Sequence, residues 1–222
     1  MPEWQRQSVD RSLTSARQRA RERSDRLVAA TLDLIAETGD TDFTVHDVVA
    51  RSKMSLRTFY KYFASKDDLL VAVHGVILTT EVMPRLVGRC DAHTDPVRRL
   101  KAFVDGLYEI TTDPSGVARA LTVHQNRLKE SRPADLDRAL APQLELVTEL
   151  LADAARANRL RSGAEVGRAA LLLHHAVLAA VHARILGSTG MEAVSAEDLW
   201  VFCAGSVGVV DGEGPTTASG PG

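Results

Sequence analysis

Arg57 stands among groups that can read or hold a nucleic acid: Ser55 and Thr58 on either side, then Tyr60, Lys61 and Tyr62. A guanidinium near the amino end of an exposed helix can pair both its edge donors with guanine in the major groove. A helical hairpin with a solvated basic face fits the same spacing. The histidines raise a second chemistry. Metal ligands on one helix need three- or four-residue spacing, whereas His175 and His182 stand seven apart, about 10 Å along the axis. They read as core or interface histidines, and no metal or cofactor is expected. No GxSxG, HExxH, P-loop or GxGxxG pattern occurs, and the pair Asp67-Asp68 is explained as a helix start. An enzyme and a helical interaction module without sequence-specific DNA binding are therefore kept only as alternatives.

Arg57 needs a scaffold, and the residues around it supply three helix starts in succession. Thr44 with Asp47 forms a capping box, with Phe43 and Val48 at the staple positions. Ser55 repeats the arrangement with Met54 and Phe59, and Ser65 repeats it again with Asp68 and Leu69. Only short helices fit between them, roughly Val45–Ser52 and Leu56–Phe63. Ahead of them Leu27, Ala30, Thr31, Leu34 and Ile35 recur at helical spacing until Gly39. Two short helices joined by a tight turn under a longer one make a helix-turn-helix. Val48, Val49, Phe59, Tyr62 and Phe63 would close its core against Leu34 and Ile35, leaving Leu56, Arg57, Tyr60 and Lys61 outside.

The rest of the chain reads as helices. Charged residues are 25% and aromatics 5% of 222 residues, a balance suited to helix-on-helix packing. Residues 1–66 carry twelve Lys/Arg against nine Asp/Glu, so a basic amino end joins an acidic body. Asp95-Pro96 and Asp113-Pro114 offer N-caps followed by proline. The all-α architecture expected is a three-helix DNA-binding domain followed by a larger helical bundle, about nine helices in all. Its parts are a mobile Arg-rich arm over 1–20, the helix-turn-helix over 21–70, a body over 71–210 and a disordered tail over 211–222. The polar start lacks a signal-peptide pattern. The longest apolar stretch, Ala169 to Ala183, reads as too short for a bilayer. A soluble, cytoplasmic protein with no membrane partner is expected, its two cysteines reduced.

The stretch Met54-Ser55-Leu56-Arg57-Thr58-Phe59-Tyr60-Lys61-Tyr62-Phe63-Ala64-Ser65-Lys66 closely resembles the recognition-helix signature of TetR-type regulators, and Ala36-Glu37-Thr38-Gly39 matches the end of their first helix. The detailed resemblance covers about fifty residues. It implies that Thr44 meets a phosphate and that His46 makes a second-helix contact. It further implies that Ser55, Arg57 and Thr58 face the groove, that Tyr60 and Tyr62 point to backbone or base edges, and that Lys66 grips a phosphate. Two positions depart from the common pattern. Lys53 replaces the usual turn glycine, so either a left-handed backbone there costs roughly 1–2 kcal/mol or the turn differs slightly. Leu56-Arg57 replaces the frequent Lys-Gly, which places Arg57 on a guanine.

The family's body usually encloses an effector pocket. The resemblance makes Phe103, Leu107, Tyr108, Leu121, His124, Gln125 and Leu144 candidates for its wall. Its last two long helices usually pair with their copies. Here Leu171, His175, Leu178, His182 and Ile185 recur at helical spacing, and Trp200 lies on the following helix. The expectation is a homodimer on a near-palindromic DNA operator. It would act as a ligand-responsive regulator, a repressor released by a small, largely apolar effector of unknown identity.

Overall fold

The computed structural model describes residues 3–112, 116–161 and 165–210. Among these run ten α-helices: α1 Glu3–Thr38, α2 Val45–Ser52, α3 Leu56–Tyr62, α4 Lys66–Ile77, α5 Met83–Asp91, α6 Pro96–Glu109, α7 Val117–Ser131, α8 Pro133–Arg156, α9 Val166–Ile185 and α10 Ala196–Val207. The all-α expectation holds. The tail expected over 211–222 and the Asp113-Pro114 cap lie outside the described residues. The helix beyond that cap starts at Val117, after Gly116 in a left-handed conformation.

The stretch read as an arm is helical from Glu3. It has no apolar period, but Arg, Gln, Ala and Glu are good helix formers. A helix already nucleated by its packed half propagates at little cost.

Two compact units divide the chain: residues through Ile77 together with 115–135, and residues 78–114 with those from 136 onward. The boundary thus differs from the 70/71 division expected, because α7 belongs to the amino-terminal unit. Leu27, Val28 and Ile35 of α1 share that unit's core with Val48, Val49, Phe59, Leu69, Leu70 and Val73. Ala120 and Leu121 of α7 complete it. Each fully buried Leu, Ile or Phe there contributes roughly 1.5–3 kcal/mol. Gly39, at φ 67°, ends α1 with its amide bonded to the Ile35 carbonyl. Buried polar groups tie α7 to α4. The rings of His74 and His124 stack 5.5 Å apart, with His74 Nε2 3.3 Å from His124 Nδ1. Arg132 reaches both Asp68 and Asp135.

The second unit is built on α5, α6, α8, α9 and α10. A π-helical turn, Leu78–Val82, leads into α5, whose second residue, Pro84, has no hydrogen on its ring nitrogen to donate to the preceding turn. Asp95 caps α6 with Pro96 behind it, and Ser195 with Asp198 forms a full capping box on α10. The core gathers Leu100, Phe103, Leu107, Val147, Leu151, Leu173, Val177 and Cys203. Arg184 gathers the carbonyls of Met191, Glu192 and Val194 and lies 5.2 Å over the Tyr108 ring. The Tyr108 hydroxyl donates to Val194 as well. Burial pushes the thiols of Cys90 and Cys203 up to about 11, so both are poor nucleophiles.

By length and composition alone, Lys66–Asp91 and α9 could each cross a membrane, with mean hydropathy 1.4 and 1.3. That corrects the sequence estimate, which stopped at Ala183; the helix continues to Ile185. Leu173, Val177 and Val181 of α9 face the core of their own unit.

The buried imidazoles make stability depend on pH. Burial holds His124 below its ordinary value against the opposing pull of Asp67. Burial, with a smaller push from His175, brings His174 down to about 4. Between about 6.5 and 4 the unfolded chain therefore binds more protons than the folded one, and stability falls as pH falls. At pH 5 the His174 contribution is on the order of 1–2 kcal/mol. Urea midpoints should drop from pH 7.5 to pH 5, and His174→Gln should shrink the drop; an equal drop in both chains contradicts this account.

Candidate nucleic-acid interface

A seven-residue helix has almost no stability by itself, so α3 holds its orientation through what lies beneath and beside it. Phe59 is wholly buried and Phe63 nearly so. Their rings meet at 5.9 Å, and the Phe59 ring meets Tyr60 edge-on at 5.2 Å. Leu56 and Tyr62 pack partly against the same core. Leu56 had been expected on the outer face; its side chain instead helps seal the helix start. What remains outside is Arg57, Tyr60 and Lys61, with Tyr60 59% exposed.

The caps explain this local folding. The Thr44 hydroxyl accepts from the Asp47 amide at 3.2 Å and donates to the Asp47 carboxylate at 2.7 Å. The Thr44 backbone amide, donating to the same carboxylate at 2.7 Å, and then the hydroxyl hold the Asp47 carboxyl below the usual carboxylate range. Ser55 caps α3, accepting from the Thr58 amide at 3.2 Å. Its hydroxyl also lies 2.9 Å from that of Thr58. Between the two helices Lys53 takes the left-handed conformation, φ 56° and ψ 39°, that closes α2. A non-glycine residue therefore fills a position glycine occupies without strain.

Two contacts brace the ends of the motif. Arg51 of α2 makes a bidentate ion pair with Glu37 of α1, at 2.8 and 2.6 Å. The bond to Arg51 holds Glu37 below its ordinary value. Lys66 donates to the Phe43 carbonyl at 2.7 Å, and its ammonium lies 4.7 Å over the Phe43 ring. The start of α4 is thus fastened to the turn before α2.

The nine residues singled out from the sequence are brought onto one short stretch of the amino-terminal unit. Thr44, His46, Ser55, Arg57, Tyr60 and Lys61 are exposed, and Thr58, Tyr62 and Lys66 half-buried. Three already have structural duties: Thr44 and Ser55 spend their hydroxyls on caps, and Lys66 holds Phe43. Arg57 has no ion-pair or hydrogen-bond partner among the described residues. It is a cation held outward and unspent.

The candidate effector residues do not share one unit. Phe103, Leu107 and Tyr108 are buried in the second unit, with Leu144 packed against its core. Leu121 and His124 are buried in the first, beside half-buried Gln125. α7 was read as part of the body because nothing local marks which core a helix joins. A buried polar pair in the second unit escaped the sequence reading. His174 Nε2 lies 3.2 Å from the Gln143 side-chain oxygen, while His174 Nδ1 is buried without a hydrogen-bond partner among the described residues. The signal was present as a histidine within the apolar run Leu171-Leu172-Leu173-His174.

Of the residues assigned to a dimer face, Leu171 and His175 are exposed and Leu178 and Ile185 half-buried. Trp200 and His182 are corrections: both are buried within the chain. The large exposed apolar side chains of α9 and α10 are Leu172 at 72%, Phe202 at 63%, Val201 at 62% and Leu171 at 45%.

Comparison with known proteins bears on the same segment. The profile of bacterial regulatory proteins, tetR family, matches residues 27–73. An HTH-type transcriptional regulator, BetI, from Stenotrophomonas maltophilia (strain R551-3) is 36% identical over 89 residues, 39% of this chain and 44% of that protein. The chain thus spans less than half the length of the curated relative it matches. Solved structures share the fold over most of the chain. RolR in complex with resorcinol superposes with a TM-score of 0.68 at 18% identity, covering 86% of this chain and 90% of that one. The fatty acid degradation regulator FadR from Bacillus halodurans superposes at 0.64 with 16% identity, covering 81% and 93%.

The turn between α2 and α3 supplies a direct check on this geometry. Lys53→Gly should raise unfolding stability by about 1 kcal/mol, since the left-handed strain disappears. Denaturant titration reads the change; a loss of stability would contradict the left-handed turn.

Proposed function

We propose, for a chain whose residues 27–73 belong to the tetR family of bacterial regulatory proteins, that it binds operator DNA as a homodimer and lets go when a small, largely apolar effector binds. One observation carries this reading: Arg57 is exposed, and without a partner among the described residues, on a helix whose opposite side is sealed into the core. Arg57 reads a guanine through the major groove. Ser55, Thr58, Tyr60 and Tyr62 line the contact. Thr44, His46, Lys61 and Lys66 position the head on phosphates, with the amide groups at the start of α2 adding to the Thr44 contact.

The exposed apolar strip of Leu171, Leu172, Val201 and Phe202 supports pairing of α9 and α10 with a second copy. Twofold pairing places two heads on a near-palindromic site. For the effector, Phe103, Leu107, Tyr108 and Leu144 provide apolar walls. The Gln143–His174 pair provides a polar handle with an unspent nitrogen. Leu121, His124 and Gln125 lie in the other unit, where Leu121 serves the core instead. Binding of the effector biases one spacing of the paired heads over another and so lowers operator affinity. Repression in the cytoplasm is the role that fits these parts.

Arg57→Ala should cost on the order of 1–3 kcal/mol on the preferred duplex and relax preference at one base pair, whereas Lys61→Ala should weaken every duplex alike and flatten the salt dependence. Fluorescence anisotropy across a panel of single-base variants reads both; equal losses on every duplex for Arg57→Ala would remove it as a base reader. For the pairing, Leu172→Glu combined with Phe202→Glu should turn the dimer into a folded monomer by sedimentation velocity. A dimer that survives both charges rules out the α9/α10 face.

A further inference from the structure

α1 is far longer than the amino-terminal core requires. Its first apolar core residue is Leu27, and the helix begins at Glu3. Within residues 14–26 stand Arg17, Arg19, Arg21, Arg23 and Arg26, all exposed, against only Glu22 and Asp25. None of the five arginines makes an ion pair among the described residues. Arg19 donates to the Ser15 carbonyl, and Glu22 is held by Gln18.

Two features of this segment decide what it can bind. Ala16 and Ala20 are its only apolar side chains, so it has no hydrophobic stripe with which to enter a protein groove. Its arginines also lie on more than one side. Arg17 and Arg21 are four apart on one, and Arg19, Arg23 and Arg26 follow four-and-three spacing on another. A rod that is cationic on several sides and apolar on none suits a polyanion whose charge is continuous. The segment rises about 20 Å, the length over which duplex DNA presents on the order of ten phosphates.

We propose that this segment of α1, residues 14–26, is a second DNA-contacting element, which holds phosphates flanking the site read by α3. The inference rests on the DNA-binding reading of α3 and adds to it affinity without base preference. The contact releases counterions and steers association; it carries no sequence information of its own. Binding therefore depends on duplex extending beyond the footprint of the paired heads.

The test compares the full chain with two variants, Arg17, Arg19, Arg21 and Arg23 all changed to Gln and the same four changed to Lys. All four positions lie outside the core, and both replacements are good helix formers. Binding is measured by anisotropy against salt on a duplex sized to the heads, and on the same duplex lengthened by about two helical turns at each end. The wild-type chain should bind the longer duplex more tightly. The Gln variant should keep the wild-type ranking of sequences and lose the length advantage. Its affinity should fall on the order of tenfold or more, with a salt slope shallower by about 0.9 for each phosphate that the segment no longer neutralises. The Lys variant should restore most of both. A Gln variant with unchanged slope and unchanged length dependence overturns the proposal. Failure of the α3 reading looks different: the wild-type chain then ranks no sequence above another, while the slope difference between wild type and Gln variant still decides whether the segment holds DNA.

Discussion

Everything distinctive about the amino-terminal unit depends on the closure of one small apolar seam beneath α3. Phe59 is fully buried between residues of α1, α2 and α4, and a helix of seven residues has no other means of keeping a fixed orientation. The seam sets which side chains turn outward, because an α-helix with Phe59, Phe63, Leu56 and Tyr62 drawn inward leaves Arg57, Tyr60 and Lys61 exposed. The Arg51–Glu37 ion pair and the Lys66 clamp on Phe43 then prevent the neighbouring helices from sliding. Outward display of an unspent guanidinium follows from inward packing.

The second unit solves a different problem with the same means. Its core is mostly aliphatic, but it admits a few polar groups, among them two that reach a partner on a different helix or turn. Arg184 binds three carbonyls of one turn, and Gln143 meets His174. Its surface also leaves large apolar side chains of α9 and α10 in solvent, an expense that a chain acting alone would not ordinarily carry.

The features legible in the sequence were those decided within four or five residues. Thr44 with Asp47, Ser55, and Asp95 before Pro96 cap helices where their spacing indicated, because a capping bond needs only its own turn. Lys53 shows the left-handed backbone that its place in the turn requires. Long-range choices were not legible. α7 has an apolar stripe that would suit either core, and only packing assigns Leu121 to the amino-terminal unit. On α10 the sequence pointed to Trp200, but its helical phase turns Trp200 inward and Phe202 outward. The amino-terminal extension was read as an arm because it lacks an apolar period; a helix that continues from a packed segment needs none.

The central claim is that the outward face of α3 reads DNA sequence. Repeated selection of bound duplexes from a random pool by the full-length chain tests it most directly. The account predicts enrichment of an inverted repeat, two half-sites with a guanine at corresponding positions in each. A pool that stays random through successive rounds, while the chain remains folded, would contradict it.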